Sequence, residues 1–268
     1  MKSVFMVFAV MGIFIIFAPC SKANPPDGLV LHLSFDKNTI DGDTAKDLSE
    51  EGNDGIINGS AKMVAGKHGD ALEFDGKDDF VEVPLEDSIT FSTGDSLTVQ
   101  VWVKTDDEPP NNDGIVGNYR PGTDAVWILS VSGDDPAARG KMGFSVRDKG
   151  RANSAGVRST NFLNDDKWHV LAGVRDQKAK KIRFYVDGEL IGEADDNTKD
   201  INSGQSIWVG EHLNRFYKGL IDEVKVWNRP LRAEELKQSE LQPSAVDATE
   251  KLTTLWGALK TAHRKRQF

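Results

Sequence analysis

Short segments that alternate between apolar and polar residues recur along most of the chain, with glycine, asparagine and aspartate between them. The clearest covers residues 97–104, where four apolar side chains occupy one face and Thr98, Gln100, Trp102 and Lys104 occupy the other. Similar patterns predict strands over residues 29–35, 72–76, 80–84, 127–131, 142–146, 168–175, 182–186, 207–209 and 220–227. Strands at this spacing, joined by turn residues, indicate an all-β sandwich or barrel.

Helical patterns are few and lie near the C-terminus. Residues 229–236 predict a short helix after the last strand, and residues 252–259 carry a Leu/Trp stripe at helical spacing, followed by basic residues. We therefore expect an export signal over residues 1–23, one β-domain over residues 24–240, and a linker with a short amphipathic basic tail over residues 241–268.

The first 23 residues have the pattern of an export signal. Lys2 precedes an apolar stretch over residues 4–18, which is shorter than the roughly 20 residues of a membrane span, and small residues follow it. The sequence leaves two alternatives for where this signal is processed. Cleavage after Ala23 would make Asn24 the first residue of a secreted or periplasmic protein. The residues up to Cys20, the single cysteine, resemble a bacterial lipobox, which would leave a lipidated Cys20 anchored at the cell surface.

The charge of the chain limits its partners. Its net charge is −9, and leaving out Lys2 and Lys22 of the predicted signal makes it −11. Nucleic-acid binding rests on a basic surface, so we expect no nucleic-acid partner. Acid-rich loops suit a hard cation such as calcium. Membrane contact is expected only through lipidation of Cys20 or through the C-terminal tail.

Several segments together resemble one known family. They are residues 28–36, 47–55, 69–81, 168–174 with 184–188, and 219–231, and they occur in family order. The chain is therefore similar to laminin-G-like domains of the concanavalin A-like lectin and glucanase superfamily. This resemblance implies an antiparallel two-sheet jelly-roll sandwich. Because the fold supports lectins, carbohydrate-binding modules, hydrolases and adhesion domains, it does not settle the activity.

No catalytic residue is predicted. Glycosidases of this fold resemble one another in a Glu-x-Asp-x-Glu strand, whose alternation brings the carboxylates to one face. The chain has no such triplet, and alternation predicts opposite faces for the adjacent Asp222 and Glu223. We expect a non-catalytic extracellular module that binds a glycan or a protein surface. A glycoside hydrolase with loop-borne carboxylates and a structural cell-surface spacer remain as alternatives.

Asp222 is the first candidate site residue. Simple alternation places it on the same face as the apolar Leu220, Val224 and Val226, and a buried carboxylate needs a partner. The family resemblance implies a structural calcium near the first strand, held by Asp222 and more weakly by Asp36. The alternative is a carboxylate that caps backbone amides of a neighbouring loop.

The candidate ligand-binding residues are Trp102, Asn118, Tyr119 and Arg120. Trp102 lies among polar neighbours, where it can stack on a sugar ring or fill a small second core. The other three lie in residues 106–124, a predicted rim loop, and combine a planar ring with hydrogen-bonding groups.

Overall fold

The computed structural model describes residues 27–241, in which two large antiparallel sheets contain most of the strands. Sheet A contains β1 Leu29–Leu33, β5 Lys62–Ala65, β6 Asp70–Asp75, β8 Leu97–Lys104, β13 His169–Asp176, β14 Lys181–Val186, β15 Glu189–Asp195 and β19 Lys218–Trp227. Across the sheet their order is β15-β14-β13-β8-β19-β6-β5, and β1 also pairs with β19.

Sheet B contains nine strands, and the described residues also form a small hairpin, a 3₁₀ helix at Asp87–Ile89 and one α-helix. The strands of sheet B are β2 Ile40–Asp41, β3 Thr44–Ala45, β4 Gly55–Asn58, β7 Phe80–Val83, β9 Asp113–Gly117, β10 Val126–Val131, β11 Met142–Arg147, β12 Ser154–Arg158 and β16 Ile207–Val209. Their order is β12-β11-β10-β9-β16-β7-β4-β3-β2. The hairpin pairs β17 Glu211–His212 with β18 Arg215–Phe216, and the helix is α1 Ala233–Leu241.

One core lies between the sheets. Val99 and Val101 of sheet A and Leu129 and Phe144 of sheet B belong to the same cluster of buried side chains, and each is fully buried. The alternation that predicted these strands is therefore the alternation between the inward and outward faces of a sandwich. The predicted all-β, two-sheet jelly-roll fold is confirmed.

A β-bulge in β19 changes which residues face the core. Asp222 pairs with Trp102, but the next paired residue is Lys225, opposite Gln100, and Glu223 has a φ of 52°. The extra residue reverses the alternation. Asp222 therefore points outward with Trp102, whereas Val224 and Val226 point into the core. The prediction that Asp222 shares a face with Val224 and Val226 is wrong for this reason.

Two elements cover the outer face of sheet A. Helix α1 packs over β8 and β13, and its buried Leu236 joins an apolar cluster with Ala172 and Trp227. The Ser239 hydroxyl donates a hydrogen bond to Gln100 at 2.7 Å. The turn between β5 and β6 lies over Trp102 farther along the same face.

The predicted strands are all present, and two other predicted elements need correction. The helix expected over residues 229–236 begins at Ala233 and extends to Leu241. The segment 106–124, predicted as a rim loop, contains β9. The export signal and most of the tail lie outside residues 27–241. Among the described residues, no helix has the length and apolar character needed to cross a membrane.

Candidate ligand-binding site

The hairpin β17–β18 lies directly over β9 on the outer face of sheet B. The backbone amide of Gly210 donates a hydrogen bond to the Ile115 carbonyl at 2.8 Å. A Cβ atom at Gly114 would lie 2.5 Å from the Cβ of His212 and 2.6 Å from the Glu211 carbonyl oxygen. Glycine at position 114 is therefore what allows the hairpin to approach β9 so closely.

Arg120 is held in place from two sides at the edge of this hairpin. Its guanidinium carbon lies 4.3 Å from the centroid of the Trp208 ring, close enough for a cation–π contact. Its Nη1 forms an ion pair with Glu211, a buried carboxylate. Burial raises the pKa of Glu211, and the backbone amide of Asn214 and the charge of Arg120 oppose that effect. Because the Arg120 side chain remains 26% exposed, the protein presents an oriented planar cation at its surface.

The ring of Tyr119, next to Arg120 in the chain, contacts both the hairpin and β11. Its ring centroid is 5.2 Å from that of His212, and the guanidinium carbon of Arg147 lies 4.7 Å from the Tyr119 ring. Arg147 is fixed in turn by donating a hydrogen bond from Nε to the Asp124 carbonyl at 2.8 Å. We refer to Tyr119, Arg120, Arg147, Trp208 and His212 as the Tyr119 cluster.

Three buried polar atoms of the Tyr119 cluster have no hydrogen-bond partner among residues 27–241. They are Arg147 Nη2, Trp208 Nε1 and His212 Nδ1. Burial and the nearby charge of Arg215 lower the pKa of His212 to about 4, so its ring is neutral at pH 7. Buried polar groups are nearly always paired in native structures, so three such atoms in one cluster point to an external polar partner.

Asn118 has a different role from its two neighbours. It is buried, its side-chain oxygen accepts a hydrogen bond from the Trp127 amide at 2.8 Å, and its side-chain nitrogen donates to the Ile201 carbonyl at 3.2 Å. These bonds fix the chain where it leaves β9. Asn118 thereby positions Tyr119 and Arg120, and its own contact with a ligand stays a prediction.

Trp102 lies apart from the Tyr119 cluster, on the outer face of the other sheet. Lys67 Nζ lies 4.6 Å from its ring centroid, and the His68 ring contacts it edge-on at 5.6 Å. Both residues come from the turn between β5 and β6. Trp102 and Tyr119 therefore do not form one site, and a glycan contact at Trp102 stays a prediction.

Asp222 and Asp36 bind the same turn. Asp222 Oδ2 accepts hydrogen bonds from the amides of Lys67 and His68, each at 2.9 Å, and Asp36 Oδ1 accepts one from Asp70 at 3.0 Å. The Oδ1 atom of Asp222 is buried without a hydrogen-bond partner in residues 27–241, and burial raises the pKa of this carboxyl to about 8. The amide-capping alternative thus describes Oδ2, and a calcium contact at Oδ1 stays a prediction.

Glu223 shares the outer face with Asp222, contrary to the prediction of opposite faces, because of the bulge in β19. Its Oε2 lies 2.7 Å from His32 Nε2 and 2.8 Å from Lys225 Nζ. Burial alone would raise its pKa, but His32 and Lys225 hold it at about 2. Two neighbouring carboxyls with such different pKa values resemble an acid–base pair. Both residues are at most 2% exposed, however, which leaves a polysaccharide no access to them.

Two stacked antiparallel sheets, with an aromatic and cationic cluster on one outer face, define a jelly-roll sandwich of the concanavalin A-like class. A family match agrees with this class. Residues 75–237 match Laminin_G_3, described as the concanavalin A-like lectin/glucanases superfamily, and the chain belongs to this superfamily. The resemblance predicted from sequence is confirmed.

Two solved structures similar to this chain are binding domains of toxins. The binding domain of Paraclostridial Mosquitocidal Protein 1 aligns at a TM-score of 0.64 and 17% identity, over 79% of this chain and 51% of that one. The binding domain of botulinum neurotoxin serotype G aligns at 0.62 and 15%, over 78% and 50%. The chain thus spans about half the length of these toxin domains.

A third structure is matched over almost its whole length. Domain 4 of AbnA, an extracellular arabinanase from Geobacillus stearothermophilus solved with arabinotriose, aligns at a TM-score of 0.62 and 19% identity. The alignment covers 79% of this chain and 97% of that domain. At these identities the likeness concerns the fold alone. A comparison with curated proteins gives no match.

Proposed function

We propose that this protein is a non-catalytic extracellular binding module that recognises a glycan through the Tyr119 cluster. One observation carries the proposal. Arg147 Nη2, Trp208 Nε1 and His212 Nδ1 are buried without hydrogen-bond partners in residues 27–241, beside the partly exposed Tyr119 and Arg120. Sugar recognition combines an apolar stacking surface with a few oriented hydrogen-bonding groups, and this cluster supplies both.

The comparisons support a binding role in general terms. The arabinanase domain was solved with arabinotriose, and botulinum neurotoxin binding domains were solved with SialylT and with rat synaptotagmin II. Domains of this fold thus take carbohydrate and protein partners. The buried polar atoms favour a glycan for this chain, because each pairs with a hydroxyl group once a shift of the partly exposed Tyr119 and Arg120 side chains uncovers it.

A glycan array tests the proposal directly. We expect wild-type protein to bind a defined set of glycans and Tyr119→Ala to lose at least tenfold in affinity with an unchanged melting temperature. Phe162→Ala is the matched control, because Phe162 is an exposed aromatic that contacts Lys141 outside the cluster. A silent array with folded wild type, or equal losses in both variants, contradicts the proposal. Release of reducing sugar from an array-positive polysaccharide would instead favour the hydrolase alternative.

The extracellular part of the proposal rests on residues 1–23. We expect exported protein to begin at Asn24 or at a lipidated Cys20, and N-terminal sequencing with mass spectrometry distinguishes the two. Cys20→Ala should abolish membrane attachment only if Cys20 is lipidated. An intact Met1 on protein confined to the cytoplasm would contradict export.

The calcium part of the proposal rests on Asp222 and Asp36. We propose that Asp222 Oδ1 is a ligand of a structural calcium and that Asp36, which follows β1 and binds the same turn, is the weaker second ligand. Calcium at this position would stabilise the turn between β5 and β6, which covers Trp102. The ion would act on stability and not on glycan contact, because the turn and the Tyr119 cluster lie on different sheets.

A further inference from the structure

A cleft of about 420 Å³ opens at the rim of the sandwich, next to the hairpin that carries His212. Its walls come from both sheets and from the hairpin. They include Lys77 after β6, Asp107 and Pro110 after β8, and Arg215 and Phe216 of β18. The hairpin thus separates the cleft from the Tyr119 cluster, and no residue of that cluster lines the cleft.

Asp113 is the buried acidic group of this cleft. It is the first residue of β9 and pairs with Val131, whose side chain lies in the core, so the Asp113 side chain is directed toward the interior at the end of the strand. Only 8% of Asp113 is exposed, and it lines the cleft. Burial and the negative charge of Asp107 raise the pKa of Asp113 to about 7. A largely buried carboxylate that faces a cleft is stabilised by a hydrogen-bond donor placed there.

The cleft offers few free ligands to a metal ion. Its three cations are already ion-paired, Lys77 with Asp75, Arg215 with Asp134 and Lys218 with Asp107. Asp107 is the other carboxylate that lines the cleft, so Asp113 is the one lining carboxylate without an ion pair to residues 27–241. Among the described residues, the group of three carboxylates with metal-ligand spacing is Asp75, Asp78 and Asp79, none of which lines the cleft.

The cleft also offers an apolar wall. Phe216 and Pro110 line it, and the Phe216 ring is held by Phe80 at a centroid distance of 6.4 Å. An apolar wall beside an acceptor and a donor matches the surface of a pyranose or furanose ring. We infer that the cleft is a second subsite for a neutral sugar residue, in which Asp113 accepts hydrogen bonds from hydroxyl groups and Arg215 donates them. This inference rests on the proposed glycan-binding function.

Titration calorimetry of the full exported chain tests the subsite, with arabinotriose, cellotetraose, xylotetraose and mannotetraose as probes. We expect at least one probe to bind, and Asp113→Asn to weaken it at least tenfold with an equal or higher melting temperature, since the variant removes a buried charge. Asp195→Asn is the matched control, because Asp195 is an exposed carboxylate at the edge of sheet A. Phe216→Leu is the second variant and should weaken the same probe.

The outcomes separate the two proposals. If Tyr119→Ala abolishes binding and Asp113→Asn and Phe216→Leu leave it unchanged, the Tyr119 cluster stands and the subsite is overturned. If the Asp113 and Phe216 variants weaken the probes and Tyr119→Ala does not, the subsite stands and the cluster fails. A calcium titration whose heat disappears in Asp113→Asn would identify a cation site and overturn the sugar assignment.

Discussion

Glu223 occupies the bulge of β19, and this one extra residue decides which face of sheet A receives Asp222. Simple alternation predicts Asp222 among the core side chains, but the structure buries its carboxylate against the turn between β5 and β6. The sequence cannot predict the face, because the bulge is defined only by pairing with β8, more than a hundred residues earlier. Simple alternation fails where a strand gains a residue.

Also at the scale of single residues, a variant of Asp222 distinguishes calcium binding from amide capping alone. If Oδ1 binds calcium, an excess of a hundredfold over the dissociation constant adds about 2.7 kcal/mol to the free energy of unfolding. We therefore expect melting temperatures in calcium and in chelator to differ by about 5–10 °C for a domain of this size. The difference should disappear in Asp222→Asn and persist in Asp195→Asn. Identical wild-type curves in calcium and chelator would leave amide capping as the sole role of Asp222.

Among the elements, β9 shows why a clear strand can escape sequence analysis. Two of its five residues are glycines, so it lacks the polar outward side chains that mark a strand such as β8. Its outward Gly114 faces the hairpin, and Gly117 packs against the backbone of Trp127 and Ile128. A strand with glycine at these positions shows no alternation of polar and apolar side chains.

The hairpin β17–β18 gives a prediction at the scale of an element. In Gly114→Ala the new methyl group would clash with His212 and Glu211, so the hairpin must move away from β9. We expect glycan affinity to fall at least fivefold, with a loss of about 1–3 kcal/mol in stability measured by urea unfolding. Gly156→Ala is the control, because its Cβ would lie 3.1 Å from the Ser145 hydroxyl and no nearer than 3.8 Å to the backbone of Phe144. Unchanged affinity in Gly114→Ala would show that the hairpin does not shape the binding site.

For the whole molecule, the sequence predicts the fold better than the site. Several short alternating segments in sequence predict a sandwich, because each indicates a strand with one buried face. The Tyr119 cluster instead joins Tyr119 and Arg120 to Arg147, Trp208 and His212, which lie on other elements and carry no local signal. Only the arrangement of the strands in sheet B, together with the hairpin over β9, brings them together.

The most direct test of the account is a crystal structure with the tightest-binding oligosaccharide from the array. We predict a sugar ring against Tyr119, with hydrogen bonds to Arg120 and to at least one of Arg147 Nη2, Trp208 Nε1 and His212 Nδ1. Density on the outer face of sheet A at Trp102, with the Tyr119 cluster unchanged, would contradict it.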